Sequence, residues 1–281
     1  MDIISDFDKN KFIDLYLDKK PVLIKNLLDG NNLELDLDEI SGLAMEEDLV
    51  SRIVKYKNND FSKLDVDFGP FTESTLTSLP EETPWSLFIQ DVEKYIPAIE
   101  KLVEPLLFLP EVLLHDVMAS ISSNGGGAGP HLDWYSVFIL QIHGEKKWKV
   151  EKVQESESGH DSRIIPELDL KILKDFKDHD EINLQKGEIL YIPPGFAHCG
   201  SSQQLSYSLS VGYQSPTLIN FVETYLQKLL KNAHVDSRLY FNKESLKQGK
   251  LKLADGLLPS ELSINNEFDI NDLVQEAKER E

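Results

Sequence analysis

The chain has 281 residues, of which 41% are hydrophobic and 28% charged, enough to bury a substantial core and unlike a disordered or low-complexity chain. Against 29 basic residues stand 49 acidic ones, a formal net charge of -20 that opposes direct binding to nucleic acid or an anionic membrane and favours a basic partner. A lone cysteine, Cys199, excludes an intramolecular disulfide; with an acidic first segment and no apolar run near the roughly 20 residues a membrane span needs, a cytoplasmic protein is expected.

Residues 1–30 predict a short helix followed by an entering strand at 21–24, PVLI. Across 36–56 apolar residues recur every three or four positions, which predicts short helices capped by Asp38 or Ser41. Residues 96–109 form a further helical candidate, interrupted by Pro105. From Leu113 the texture changes. LLHDVMASIS, SVFILQI, KKWKV, EILYIP and SYSLSVGY are short strand candidates parted by Gly, Pro, Asn or charged turns, without long helices between them. That succession predicts an antiparallel sandwich or partly open barrel rather than a parallel α/β sheet. The polar stretch 151–180 interrupts it, as a short helix around 168–175 or as an extended insertion. In TLINFVETYLQKLLKNA, the stripe Leu218, Val222, Tyr225, Leu226, Leu229 and Leu230 must be covered by the same chain or by a second subunit. INDLVQEAKERE is a last helical candidate, and no internal repeat is present. The division expected is a β domain over 1–215 and a helical region over 216–281.

His131 and Asp133 lie two positions apart beyond the turn-rich GGGAGP, so on an extended strand both side chains face one way. Imidazole and carboxylate suit a divalent metal, although the pair alone is common. His198, after the rigid turn in LYIPPGFAHCG, is the candidate third ligand. Two histidines and one carboxylate on one face of iron leave positions for substrates, the pattern of nonheme Fe(II) oxygenases. Past VFILQI a turn at 143–145 returns the chain as KKWKV, which turns either Lys146 or Lys147 inward, where it needs an anionic partner. A dicarboxylate cosubstrate would satisfy that lysine at one end and bind iron at the other. NGGGAGP lacks both the dinucleotide fingerprint and the phosphate-loop ending, and His143 with Glu145 has no framed nucleophile to complete a hydrolase triad. Cys199 reads as packing rather than as a fourth ligand, which would obstruct the chemistry.

GAGPHLDWYSVFILQIHGEKKWKV, KGEILYIPPGFAHCG and SYSLSVGY together resemble the JmjC branch of the cupin fold, and specifically bacterial ribosomal oxygenases that hydroxylate an arginine of a large-subunit ribosomal protein. SGLAMEEDLVSRIV, GPF and TPWSLFIQ extend the resemblance, which covers most of residues 10–230. It implies a mainly β double-stranded β-helix with flanking helices, a helical dimerisation region, and usually a winged-helix domain after it, of which this chain holds at most the start. It also implies that His131, Asp133 and His198 bind Fe(II) and that Lys146 holds the distal carboxylate of 2-oxoglutarate. The close relatives carry arginine at that position, and lysine lacks its bidentate fork. Ser208, where some relatives have asparagine, is a weaker candidate for a cosubstrate contact.

The function implied is hydroxylation of an arginine side-chain carbon in a basic ribosomal protein, with succinate and carbon dioxide as co-products. Asp116, Asp161 and carboxylates near the amino terminus are candidates for receiving the basic substrate; Trp134, Tyr135, Trp148 and Tyr191 either line the site or pack its wall. A homodimer with no direct nucleic-acid or membrane contact is expected. The alternatives are a noncatalytic metal-binding cupin, acting as a sensor or binding module, and an oxygenase acting on protein histidine or lysine or on a small molecule.

Overall fold

A computed structural model describes residues 1–28, 33–56, 60–80, 82–154, 163–165, 172–232, 244 and 247–248. The chain divides into two compact units, Met1–Ser215 and Pro216–Glu281. In the first, twelve described strands form two sheets: β1 (Asp2–Ile4), β2 (Val22–Ile24), β3 (Ser51–Lys55), β4 (Asp65–Phe68), β5 (Trp85–Ile89), β6 (Leu114–Ser122), β7 (Ser136–His143), β8 (Lys146–Glu151), β9 (His179–Leu184), β10 (Ile189–Ile192), β11 (His198–Ser202) and β12 (Ser206–Tyr213). Nine make a sheet in the order β1-β2-β10-β7-β12-β6-β5-β3-β4, and three make the second, β11-β8-β9. Every pairing is antiparallel except β1 with β2.

The large sheet is covered on both faces, which is why β7 reads as an almost unbroken apolar run. Its outer face, with Val117, Ala119 and Ile121 of β6 and Leu209, Val211 and Tyr213 of β12, packs against the helices α1 (Lys9–Leu15), α2 (Leu37–Gly42) and α4 (Pro97–Val103) through Phe12, Ile40 and Ile99. A short helix α3 (Glu73–Thr77) buries no side chain of its own. On the inner face, Val137, Ile139, Leu190 and Ile192 meet Trp148, Val150 and Leu184 of the small sheet. Full burial of side chains of this size stabilises the fold by roughly 1.5–3 kcal/mol each. Elsewhere the inner face is polar: Ser120 and Ser122 of β6 and Ser206 and Ser208 of β12 are all buried. A polar stripe buried inside a barrel is unfavourable unless it is hydrogen-bonded or serves a ligand.

Several local expectations change. The cap of α2 is Asp36, whose carboxylate accepts from the amides of Asp38 and Glu39, not Asp38 or Ser41. SRIVK is strand β3, because its β-branched centre pairs with β5 on one side and β4 on the other. Pro105 ends α4 in a 3-10 turn over Glu104–Leu106, as its missing amide requires. Of the helix expected around 168–175, residues 168–171 lie outside the described residues and Leu173 forms an isolated bridge with Ile164. The turn after β7 does not close a hairpin: Gly144, at φ +70°, carries the chain from the large sheet into the small one. The buried ion pair of Arg163 with Glu151, at 2.5 Å, ties Arg163, within the polar insertion, to the end of β8.

At Gly127 the GGGAGP segment passes too close to β11 for a side chain. A Cβ on Gly127 would lie 2.0 Å from the carbonyl oxygen of Gly200. Gly127→Ala is therefore expected to destabilise the domain by about 1–3 kcal/mol, read as a lowered urea midpoint at unchanged slope. An unaltered midpoint would show that the segment can retreat without loss.

Candidate metal centre

Asp133 stands between two imidazoles. Its Oδ2 is 3.7 Å from Nε2 of His131 and 3.6 Å from Nε2 of His198, and the three ligand atoms lie within 4.8 Å of one another. His131 and Asp133 do not sit on a regular strand. An isolated antiparallel bridge holds them, with amide-to-carbonyl hydrogen bonds of 3.0 and 2.8 Å between His131 and His198, while the Gly195 amide donates to the Asp133 carbonyl at 2.8 Å. The turn PPGF thus touches the HLD segment directly, and a distant histidine reaches the pair through backbone pairing.

Each imidazole is oriented from behind. Nδ1 of His131 donates to the carbonyl of Gly129 and Nδ1 of His198 to that of Phe196, both at 2.9 Å. A carbonyl only accepts, so both Nε2 atoms present lone pairs toward Asp133. His198 is 3% exposed, and burial, together with neighbouring His131, pushes its pKa down to about 4. His198 is therefore neutral at neutral pH, and with both Nδ1 atoms committed to carbonyls the two Nε2 atoms and the Asp133 carboxylate are left facing one another. A divalent cation is the group that relieves such an arrangement, and N2O ligation with open positions suits iron of the nonheme oxygenase type. Cys199 is outside this group: β11 alternates, so His198 and Gly200 face the cavity and Cys199 the opposite side.

Inside this cavity, of about 110 Å³, lies a second unsatisfied charge. Lys146 opens β8, paired with Ser202 of β11 and Leu184 of β9, and this register turns Lys146, Trp148 and Val150 inward while Lys147 and Lys149 meet Glu181 outside. Its Nζ donates to Ser120 Oγ at 3.2 Å and Ser122 Oγ at 3.3 Å and has no carboxylate partner among the described residues. Burial lowers its pKa to about 8. Ser122 is tied in turn to Ser86 by a 2.7 Å hydroxyl contact. Trp148 adds an indole Nε1 that is buried without a hydrogen-bond partner among the described residues.

Ser208 on β12 lines the same cavity, as do Asp116 and Tyr135; burial raises the pKa of both of these latter groups. Trp134 instead packs with Leu132, Leu173 and Ala197, and Tyr191 is sealed in the core with its hydroxyl against Ser136. Asp161 lies outside the described residues. Arg52, Ser120 and Ser122 were missed by sequence reasoning. The serines had a signal in the alternation of SIS within β6; Arg52 had none, because SRIVK was read as helical.

Residues 101–221 match the JmjC domain family. The chain is 34% identical over 221 residues to the ribosomal protein uL16 3-hydroxylase of Escherichia coli, covering 78% of this chain and 56% of that protein. It is 32% identical over 214 residues to the probable ribosomal oxygenase of Haemophilus influenzae, covering 75% and 51%. A solved structure of the Escherichia coli ribosomal oxygenase YcfD in complex with cobalt and 2-oxoglutarate is similar with a TM-score of 0.67 at 27% identity, over 98% of this chain and 67% of that one. The chain thus spans about half the length of the curated relatives it matches.

Proposed function

Since the chain belongs to the JmjC/cupin family of Fe(II)- and 2-oxoglutarate-dependent oxygenases, related to the bacterial ribosomal oxygenases, we propose that it hydroxylates an arginine side-chain carbon of a large-subunit ribosomal protein. The observation that carries the reading is the pairing, in one cavity, of the His131, Asp133 and His198 cluster with a buried ammonium lacking a carboxylate partner among the described residues. His131, Asp133 and His198 would hold the ferrous ion. When bound, iron supplies the oxygen activation that couples decarboxylation of 2-oxoglutarate to succinate and carbon dioxide with insertion of one oxygen atom into a C–H bond.

The chain's own residues position the reactants. Lys146 pairs with the distal carboxylate of 2-oxoglutarate, with Ser120 and Ser122 fixing the direction of Nζ, and Ser208 offers a further hydroxyl along the same wall. Asp116 gives a cationic side chain a carboxylate within the cavity. The net charge of -20 favours encounter with a basic protein and opposes nucleic-acid contact.

The helix α5 (Leu218–Asn232) of the second unit exposes Leu218, Ile219, Phe221 and Leu226; we assign this region, 216–281, to dimerisation with a second copy. We assign residues 1–215 to the oxygenase domain and the protein to the cytoplasm. No helix among the described residues is long and apolar enough to cross a membrane.

Incubation with Fe(II), 2-oxoglutarate and uL16 followed by tandem mass spectrometry is expected to place one added oxygen on an arginine. Oxygen on histidine or lysine would transfer the reading to the sister activity, and no consumption of 2-oxoglutarate with any substrate would leave a noncatalytic metal-binding cupin.

A pH dependence follows from Lys146. Its ammonium is half-titrated at about pH 8 and is progressively lost above it, so anaerobic 2-oxoglutarate affinity should fall by up to about tenfold for each pH unit above 8. Lys146→Arg, whose guanidinium stays charged, should flatten that slope. A wild-type affinity constant from pH 7 to 9.5 would remove Lys146 from the cosubstrate site.

A further inference from the structure

Arg52 is a second cation in the cavity wall with uncommitted donors. It lies on β3, paired with Phe68 of β4 and Phe88 of β5; Phe88 pairs with Ser120, and Ser120 with Ser208. Residues paired across antiparallel strands share a face, so this row runs from Phe68, 60% exposed at the sheet edge, through Arg52 into the cavity. The guanidinium rests on the Phe88 ring, 5.2 Å from its centroid. Its Nε is buried without a hydrogen-bond partner, and among the described residues its side chain makes no hydrogen bond or ion pair. A fixed, partly desolvated guanidinium with free donors calls for an acceptor from a ligand.

Two features select that acceptor. Asp116 and Asp133 line the same cavity, and their charge opposes a further carboxylate at Arg52. A second guanidinium is repelled by Arg52 itself, whose charge already interacts with those of Asp133 and Asp116. What remains is a neutral acceptor, and every peptide carries such groups along its main chain. We propose that Arg52 is a positioning residue that receives main-chain carbonyl oxygens of the polypeptide substrate at the cavity mouth, holding the target side chain toward Asp116 while the exposed Phe68 ring covers the peptide's flank. This rests on the reading of the protein as a hydroxylase of a polypeptide.

The test compares wild type, Arg52→Lys and Arg52→Met with a uL16 peptide, by turnover and by anaerobic binding to the Mn(II)- and 2-oxoglutarate-loaded protein. Arg52→Met is expected to raise the peptide KM and Kd about tenfold or more with kcat within about twofold and the 2-oxoglutarate KM unchanged, and Arg52→Lys to recover part of the loss. An unchanged peptide Kd, or an equal rise in the 2-oxoglutarate KM, overturns the assignment. Wild-type binding without turnover would defeat the hydroxylase reading while the Arg52 contact stood. Absence of any wild-type binding would defeat the uL16 substrate and the contact together.

Discussion

Lys146→Met is expected to stabilise the ligand-free protein and to cripple its use of 2-oxoglutarate. Burial lowers the ammonium from its ordinary 10.5 to about 8, which at roughly 1.4 kcal/mol for each pH unit is a penalty on the order of 3–4 kcal/mol in the folded state. That penalty is fully present below pH 8. It declines between pH 8 and 10.5, where the unfolded chain retains the proton that the folded chain has released, so wild-type stability rises with pH across that window. Methionine has a similar length and no charge, and its removal of the penalty should raise the thermal midpoint of the apo protein by several degrees at pH 7. The gain is reduced by the hydroxyls of Ser120 and Ser122, which lose their donor. In the same variant the KM for 2-oxoglutarate should rise about 100-fold, because the distal carboxylate would lose the buried ammonium that is its charged partner. Opposite movements of stability and affinity are the signature of a charge kept for a ligand. A variant both less stable and unchanged in KM would mean that Lys146 serves the fold.

The second large effect concerns His198. Its alanine variant should lower ferrous-ion affinity by about 100-fold or more and abolish 2-oxoglutarate turnover, while far-ultraviolet dichroism stays that of the wild type. The backbone bridge to His131 does not depend on the ring, which makes one hydrogen bond, to the Phe196 carbonyl, and packs against the rings of His131 and Trp148. Cys199→Ser provides the contrast: one residue along the same strand, on the opposite face, it should retain metal binding and turnover. Anaerobic titration with Fe(II) or Mn(II) reads both variants. Equal losses at 198 and 199 would point to disruption of β11 rather than removal of a ligand.

The grouping of His131, Asp133 and His198 was largely legible in the sequence because its parts are local signals. HLD places two ligand types two residues apart, and PPGFAH presents a histidine after a rigid turn. The resemblance to JmjC oxygenases then joined them. The strands of residues 113–213 were legible for the same reason: short apolar or alternating runs bounded by Gly, Pro and charged turns survive as β6, β7, β8, β10 and β12. SRIVK shows the opposite case. Taken with its neighbours it has a helical rhythm, and only the two strands flanking it make extended backbone the better choice.

Composition, the identity of the ligand-bearing segments and the rhythm of the strands were determined by the sequence itself, since each depends on residues within a few positions of one another. Tertiary structure decided which lysine of KKW turns inward, that serines from β5, β6 and β12 line one buried stripe, and that Arg52 enters the same cavity. Side-chain direction on a strand alternates residue by residue, so it is set by register against partner strands distant in the chain, and a shift of one residue would exchange every inward group for an outward one.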